Sequence, residues 1–409
     1  MKLSTIAFRN MRRNSRRTFM SILAIALAAF SFVFLFSFIG GMKENLKKNI
    51  QDFYTGEIRI RNPLYDQNEH LFPLFYAVEN SSEVVAALES RRTWTGISPR
   101  VIFPAALYNE EENLPTMGMG VDFAREEAFQ HLSGNLISGR LPEAGKNEVL
   151  ITPKIALDTG AREGDRLTWF TQTKGRGSNG LTLEVVGIIK FPVSSLNLMT
   201  FLAPLDRIQY FLRMGDSVTE ILLKTGENHS QEVAADLNRM FAGRSWTDMT
   251  AVSWLDLETN YDFMAMAESM YTFMALIFFL LGSTVIANTT MMVIFERTRE
   301  IGTIAALGMQ GREIVKMFFL EALFIALIGS AAGVLLGTGV TLPLTKTGLN
   351  FGSTFDGITM EISQVLLPVI TWRSTILVFV LSTAVAALVS FIPSRRCARI
   401  NPIEALRAD

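Results

Sequence analysis

A short charged segment, "ERTREIGTIAALGMQGREIVKMF" (Glu296–Phe318), lies between two of the most apolar stretches of the chain. On a helix its acidic and basic side chains share one exposed surface, formed by Glu296, Arg297, Arg299 and Glu300. Apolar positions recur on another face, at Ile301, Ile304 and Ala305. Gly308 follows Leu307 where a helix end favours a left-handed residue, so the pattern predicts a short amphipathic helix. Such a surface recognises a partner rather than making or breaking bonds.

The apolar side of this helix needs a surface to cover it. Two partners are compatible with the residues: a second protein, or the surface of a membrane on which the helix lies.

The chain offers few residues for covalent or metal chemistry. Its histidines, His70, His131 and His229, are scattered without metal-ligand spacing, and Cys397 is the single cysteine. No zinc-protease, serine-hydrolase or cysteine–histidine pattern is present in the sequence. We therefore expect no catalytic residue, no metal site and no cofactor site, and the net charge of −1 does not suggest nucleic acid.

The composition predicts a membrane protein, because 49% of residues are hydrophobic and only 19% are charged. Four uncharged or nearly uncharged runs reach the roughly 20 residues that cross a bilayer. We assign the spans to residues 19–42, 269–295, 317–345 and 374–394. The first run is too long for the apolar part of a cleaved signal peptide, so we expect it to be retained.

Basic residues near the span ends predict the orientation. Residues 1–18 carry only basic charges, from Lys2 to Arg17, and the tail of residues 395–409 carries four arginines. Both termini and residues 296–316 are therefore expected in the cytoplasm, whereas residues 43–268 and the short loop 346–373 are expected outside. Residues 1–18 either form an amphipathic helix on the membrane or act only as a charged flank that fixes topology.

The segment 43–268 mixes helix and strand patterns. "GEIRIRN" (Gly56–Asn62) alternates like a strand, and "SSEVVAALES" (Ser81–Ser90) is typical of a helix. Similar signals near residue 230 suggest two βαβ-like arms around a β-rich middle, with stalk helices at residues 43–54 and 252–268. The fold class is thus an integral membrane α-helical protein, with four transmembrane helices and a large α+β extracytoplasmic domain.

The spans also carry signs of helix packing. Gly329, Gly333 and Gly337 recur at intervals of four, which allows helix backbones to approach closely in lipid. They pack either among this chain's own spans or between subunits. Glu321 is an acidic residue one turn inside the third span, where pairing at the membrane boundary and a functional role both remain open.

The charged segment resembles the coupling helix of FtsX/MacB-type permeases of ABC transporters, in which "ERTREIG…ALG" is characteristic. "PSRRCARINPIEALRAD" (Pro393–Asp409) resembles the C-terminal signature of the same family, and "AFRNMRRNSRRTFMSILAIALA" resembles its N-terminus. "GRLPEAGKNEVLITPKIALDTGAREGDRLTWF…LTLEVVGIIK" is similar to its periplasmic core domain. These similarities extend along the whole chain, in the family's order of one span, outer domain and three spans.

The resemblance implies a partner ATPase dimer that binds ATP, and a second permease copy or paralogue. The sequence itself has no GxxxxGK[ST] phosphate-binding loop, so we expect a non-catalytic subunit of the bacterial inner membrane. The coupling contacts would come from Glu296, Arg297, Arg299, Glu300, Ile301, Gly302, Ile304, Leu307 and Gly308.

Among such permeases, length, layout and the segment "TGEIRIRNPLYDQNE" are most similar to the lipoprotein-releasing branch. That resemblance implies extraction of lipoproteins from the inner membrane, with a periplasmic chaperone as acceptor. A MacB-like exporter of peptides or small molecules, or FtsX-like signalling to a periplasmic enzyme, remains an alternative.

One permease of the lipoprotein-releasing branch extends a hairpin that captures the chaperone. The corresponding segment here spans residues 171–180, and its candidate docking residues are Thr171, Lys174, Gly175, Arg176, Gly177 and Gly180. It lacks the proline and apolar residues expected of a docking hook, so an ordinary exposed hairpin tip is favoured.

Replacing Glu300 with lysine is expected to abolish the stimulated ATP hydrolysis of the partner subunit, because the charge on the proposed coupling surface is reversed. The chain should still fold and insert into the membrane. ATP hydrolysis by the copurified complex measures the effect, and an unchanged rate would contradict the coupling assignment.

Overall fold

The computed structural model describes residue 11 and residues 15–91, 94–108, 113–226, 229–244, 246–257, 309–351 and 365–397, with scattered positions from 265 to 303. The chain divides into two compact units. The first, which we call the span unit, comprises Met1–Glu44, Met266–Asn350 and Val365–Asp409. The second, the sheet domain, comprises Asn45–Ala265 and Phe351–Gln364.

Ten strands of the sheet domain form one continuous sheet. They are β1 (Ile58–Arg61), β2 (Gly96–Tyr108), β3 (Asn113–Val121), β4 (Leu136–Gly139), β5 (Glu148–Ile151), β6 (Arg166–Gln172), β7 (Ser178–Ile189), β8 (Thr200–Pro204), β9 (Glu220–Lys224) and β10 (Thr250–Ser253). Their order is β10-β1-β9-β2-β3-β8-β5-β7-β4, and β6 pairs with β2 and β7. The pairs β3–β8 and β5–β7 are parallel, and the other pairs are antiparallel.

The helices belong to both units, and α1 has residues in each of them. They are α1 (Ser15–Asn49), α2 (Pro63–Gln67), α3 (Ser81–Arg91), α4 (Phe123–Gln130), α5 (Pro153–Thr159), α6 (Leu196–Met199), α7 (Leu205–Leu212), α8 (Ser230–Gly243), α9 (Gly311–Thr347) and α10 (Trp372–Cys397). A π-helical turn, Ile50–Tyr54, follows α1 directly. Short 3₁₀ turns occur at Glu69–Leu71, Leu74–Tyr76 and Leu132–Asn135.

The two predicted βαβ-like arms are present, and their strands interleave. The first arm runs β1-α3-β2 and the second runs β9-α8-β10. Because β9 pairs antiparallel with both β1 and β2, the strands of the first arm are parallel to each other and separated by a strand of the second. Each arm is therefore a split unit that needs the other arm to complete its sheet.

The sheet has an apolar cluster on each face. Alternation along β5 shows this, because Val149 and Ile151 belong to the larger cluster whereas Leu150 belongs to the other. The larger cluster packs under α3, α7 and α8. The smaller cluster includes Phe53 of the π-helical turn and Phe123 at the start of α4.

The predicted first stalk is helical, and the predicted second stalk differs at its beginning. Helix α1 and the π-helical turn cover the predicted stalk residues 43–54. Residues 252 and 253, by contrast, belong to strand β10, which pairs with β1. Backbone hydrogen bonds to β1 satisfy this segment, so it extends the sheet instead of starting a helix.

Three helices in the described part of the chain are long and apolar enough to cross a membrane: Thr18–Tyr54, Gly311–Thr347 and Trp372–Val389. They contain the predicted first and third spans and residues 374–389 of the predicted fourth span. The predicted second span, residues 269–295, lies mostly outside the described residues. Strands β11 (Leu349–Asn350) and β12 (Val365–Leu366) pair in the predicted loop between α9 and α10.

The glycine repeat of α9 lies against α1 within the span unit. A Cβ atom on Gly329 would be 2.9 Å from Cβ of Ile25, and one on Gly337 would be 2.8 Å from Cβ of Val33. At Gly333 the added atom would be only 2.3 Å from the backbone oxygen of Ala26. The small residues thus allow α9 to approach the backbone of α1, as small residues do in lipid-embedded helix pairs.

We expect Gly333→Leu to lower the stability of the span unit by about 1–3 kcal/mol, because the new side chain must push α9 away from α1. Gly339→Leu is the matched control, since Gly339 is exposed and nothing lies within 4 Å of its added Cβ. Thermal unfolding of the purified protein in detergent measures both. Equal midpoints for the two variants would contradict the close α1–α9 contact.

Candidate functional site

The predicted coupling residues lie outside the described part of the chain. This applies to Glu296, Arg297, Arg299, Glu300, Ile301, Gly302, Ile304, Leu307 and Gly308. The structure does describe the start of the helix that follows. Gln310 and Glu313 form a reciprocal capping box at the N-terminus of α9, so this helix begins ahead of the span predicted from residue 317.

The predicted hairpin is confirmed as a short two-stranded ribbon. Strands β6 and β7 pair from Arg166–Glu184 to Gln172–Ser178. Thr173 and Gly177 close the turn through a 2.7 Å hydrogen bond from the amide of Thr173 to the oxygen of Gly177. Arg176 has a left-handed backbone, with φ of 62°, a conformation that usually favours glycine.

The base of the hairpin is part of the domain. Thr171 is buried and donates a 2.8 Å hydrogen bond from Oγ1 to the oxygen of Pro104 on β2. A Cβ atom on Gly180 would meet the ring of Phe170 at 3.4 Å. Gly175, by contrast, has open space around it. The turn residues Gly175, Arg176 and Gly177 are exposed, and so are several flanking strand positions: Phe170, Gln172, Ser178 and Gly180.

The tip is also tied down by its side chains. Lys174 forms a 2.5 Å ion pair with Glu79, and its amide donates a 2.9 Å hydrogen bond to the oxygen of Leu212. The Arg176 guanidinium lies 4.9 Å from the ring centroid of Phe75, a cation–π distance. The basic side chains of the tip are thus engaged with the domain itself, which is unlike a free hook.

A second feature of the sheet domain is the end of the helical segment that begins with α1. Phe53 is buried and packs edge-on against Phe191, with ring centroids 5.8 Å apart. The hydroxyl groups of Tyr54 and Ser195 are 2.6 Å apart. The amide of Thr55 donates a 2.9 Å hydrogen bond to Ile50, which closes the π-helical turn. The segment therefore ends inside the domain.

Arg100 on β2 lies against this helix end. Its side chain is fully buried, and Nη1 donates a 2.9 Å hydrogen bond to the backbone oxygen of Phe53. Nη2 donates to the backbone oxygen of Asp52 at 3.3 Å and also to Glu126. Glu126, on α4, is fully buried as well. It further accepts hydrogen bonds from Ser98 and Gln130.

A second buried arginine–glutamate pair lies on the same face of the sheet. Arg61 Nη2 is 2.6 Å from Glu220 Oε2, and Nη1 is 2.7 Å from Glu69. Burial alone would raise the pKa of Glu69, but the charge of Arg61 and its hydrogen bond lower it overall. This pair holds the segment after β1 on the sheet.

The sequence interpretation did not single out Arg100 or Glu126. The signal was present, because an arginine within the apolar strand "GISPRVIF" must find partners when that strand is buried. The identity of the partners was not readable, since the carbonyl groups of Asp52 and Phe53 carry no sequence signature.

In the span unit, Glu321 is 4% exposed and therefore lies inside that unit.

Comparison with known families gives two matches. Residues 18–240, more than half of the chain, match the MacB-like periplasmic core domain. Residues 272–402 match the FtsX-like permease C-terminal domain.

Proteins similar to this chain include MacB and LolC proteins. The chain is 23% identical over 416 residues to the macrolide export ATP-binding/permease protein MacB of Escherichia coli, covering 99% of this chain and 60% of that protein. A MacB of Acinetobacter baylyi is 21% identical, with 98% and 58% covered. The chain thus spans about three fifths of the length of these relatives. The lipoprotein-releasing system transmembrane protein LolC of Xylella fastidiosa is 24% identical over 319 residues, covering 74% of this chain and 75% of LolC.

Among solved structures, the periplasmic region of MacB from Actinobacillus actinomycetemcomitans aligns with 53% of this chain and 97% of that chain. The sequence identity is 13% and the TM-score is 0.37.

We expect the native hairpin tip to resist trypsin at Lys174 and Arg176, because both side chains are engaged. The double variant Phe75→Ala/Glu79→Gln removes both contacts and should open the tip to cleavage. A control, Leu157→Ala/Glu83→Gln, changes an exposed apolar and an exposed acidic side chain elsewhere. Mass spectrometry of the first fragments gives the answer, and rapid cleavage of the unsubstituted protein would indicate a mobile hook.

Proposed function

Because the chain belongs to the FtsX-like permeases with a MacB-like periplasmic core domain, we propose that it extracts lipoproteins from the inner membrane. These proteins are ABC transporter permeases of the MacB and LolC type. In this proposal a separate ATPase dimer hydrolyses ATP, and a second copy or a paralogue completes the permease. A periplasmic chaperone accepts the released lipoprotein. The chain itself is non-catalytic, binds no cofactor, and has both termini in the cytoplasm.

The observation that carries the proposal is the balanced match with LolC, which takes in about three quarters of each protein. That relative is the transmembrane protein of a lipoprotein-releasing system.

A mechanical mode of action is supported by the helical segment from α1 to Tyr54. It begins in a candidate membrane span and ends among buried residues of the sheet domain. In our proposal, ATP binding closes the ATPase dimer, and the coupling segment around Glu296–Leu307 transfers this movement to the spans. Helix α1 then moves the sheet domain against cargo in the outer leaflet.

The composition of the described spans is consistent with this mechanism. From residue 317 to 345 the only charged residue is Glu321, and residues 374–394 carry no charge. An aqueous path for ions would need more polar lining. A lipid-anchored cargo needs no such path, because its acyl chains are already in the membrane.

Export of peptides or small molecules is the second candidate. The specific observation in its favour is the coverage of the MacB relatives, which align with 98% and 99% of this chain.

Transfer from proteoliposomes tests the proposal. The chain is reconstituted with the ATPase that copurifies with it, a labelled lipoprotein is placed in the membrane, and a soluble lipoprotein chaperone is added outside. We expect release with ATP and none with a non-hydrolysable analogue. The matched control is the same labelled protein on a transmembrane anchor, which should stay behind.

Active ATP hydrolysis without release, for several lipoproteins, would contradict lipoprotein extraction. Uptake of a macrolide into inverted vesicles by the same complex would then favour the exporter.

A further inference from the structure

We propose that Arg100 is the positioning residue that transmits the movement of α1 to the sheet domain. This inference rests on the proposed mechanical function and specifies where the helix grips the sheet. The grip consists of Arg100, its counter-ion Glu126 and the carbonyl groups of Asp52 and Phe53.

The end of the helical segment at Tyr54 needs hydrogen-bond donors from outside the helix. The last carbonyl groups of a helix have no partner within the helix, and burial without a partner is costly. The π-helical turn ends in buried surroundings, with Ile50 4% and Phe53 5% exposed. Arg100 supplies the missing donors to Phe53 and Asp52. The arginine thus binds backbone carbonyl groups, so this contact does not depend on the side chains of the helix.

Positive charges surround the same helix end. A cation near a helix C-terminus interacts favourably with the helix dipole. Arg100 is one such cation, and Lys224 on β9 is another, because its Nζ atom lies 2.6 Å from Asp52 Oδ1. Two neighbouring strands, β2 and β9, therefore hold the same helix end by their basic side chains.

Several directed hydrogen bonds make the connection between the helix end and the sheet stiff. A guanidinium group presents its donors in a planar fork, so it can bind two carbonyl groups and a carboxylate at once. Glu126 fixes the other side of the fork, and Ser98 and Gln130 fix Glu126 in turn. Strand β2, which carries Arg100, pairs with β3, β6 and β9. A displacement of the helix end is thereby passed to the centre of the sheet.

Stability alone is a poor explanation for this pair. Replacing both members of a buried ion pair with uncharged residues is often neutral or stabilising, whereas removing one member is strongly destabilising. A double substitution therefore separates a positioning role from a structural one. Arg100→Met/Glu126→Gln removes the grip and leaves no unpaired buried charge.

The chain offers a matched control in Arg61→Met/Glu220→Gln. That pair is equally buried on the same face, with side-chain exposures of 5% and 0%, and bonds to Asp66 and Glu69 instead of the helix end. Both double variants are expected to keep the sheet folded.

The first measurement is hydrogen exchange of the full chain in lipid nanodiscs. In Arg100→Met/Glu126→Gln we expect the amides of residues 51–56 to exchange at least about tenfold faster, because the helix end frays. Those of β3 and β8 should keep their protection, and the control should leave residues 51–56 unchanged. Equal protection of residues 51–56 in the two double variants would overturn the proposal, whatever the cargo.

The second measurement is release from the proteoliposomes described above. We expect the Arg100 double variant to retain ATP hydrolysis within about twofold and to lose release by at least about tenfold, while the control releases normally. Normal release by the Arg100 variant would overturn the transmission role. If the unsubstituted complex hydrolyses ATP without releasing any lipoprotein, the proposed function fails, and the exchange measurement still decides whether Arg100 holds the helix.

Discussion

The pairing of β1 with β10 is the constraint on which the arrangement of the sheet domain depends. The register places Ile58 opposite Ser253, and the amide of Trp254 donates a 3.1 Å hydrogen bond to the oxygen of Glu57. The chain therefore enters the ten-stranded sheet on β1 and leaves it on the neighbouring strand β10. Because these strands share backbone hydrogen bonds, the two connecting segments cannot shift independently without breaking the ladder.

Charge is distributed unevenly over the two faces of the sheet. Along β1, Ile58 and Ile60 point to the larger apolar cluster, whereas Arg59 and Arg61 point to the other face. Val101 and Ile221 belong to the larger cluster. Arg100 and Glu220 each precede one of them by one position on the same strand, so their side chains point to the second face. Both faces thus carry an apolar cluster, and the second face adds directed hydrogen bonds that hold the helix end and the loop after β1.

Local patterns predicted much of the sheet domain. Alternation identified the strand within Gly56–Asn62, helical spacing identified α3 and α8, and a run of small polar residues marked the β6–β7 turn. These signals come from neighbouring residues, so one sequence is enough to read them. The interleaving of the two arms was not predicted, because it depends on which distant strands pair. The start of the second stalk was wrong for the same reason: only β1 makes residues 252–253 a strand.

The site was predictable in position and not in its contacts. The hairpin lies where the sequence placed it, but its attachment to Phe75 and Glu79 joins segments about 100 residues apart. The glycine repeat predicted close helix packing, and the partner α1 became clear only from the structure. Arg100 was visible as a charged residue in an apolar strand, whereas its acceptors are backbone atoms, which every residue possesses.

The interleaved arms also have a consequence for biosynthesis. Strand β1 is made soon after the first span, yet both of its neighbours come much later, because β9 begins at Glu220 and β10 at Thr250. At roughly 5–20 residues per second, about ten to forty seconds of translation separate β1 from its partners. During that interval both edges of β1 lack their final strands. The alternating arginines of "IRIR" then protect the unpaired strand, because charged side chains disfavour pairing of an exposed strand edge with another chain.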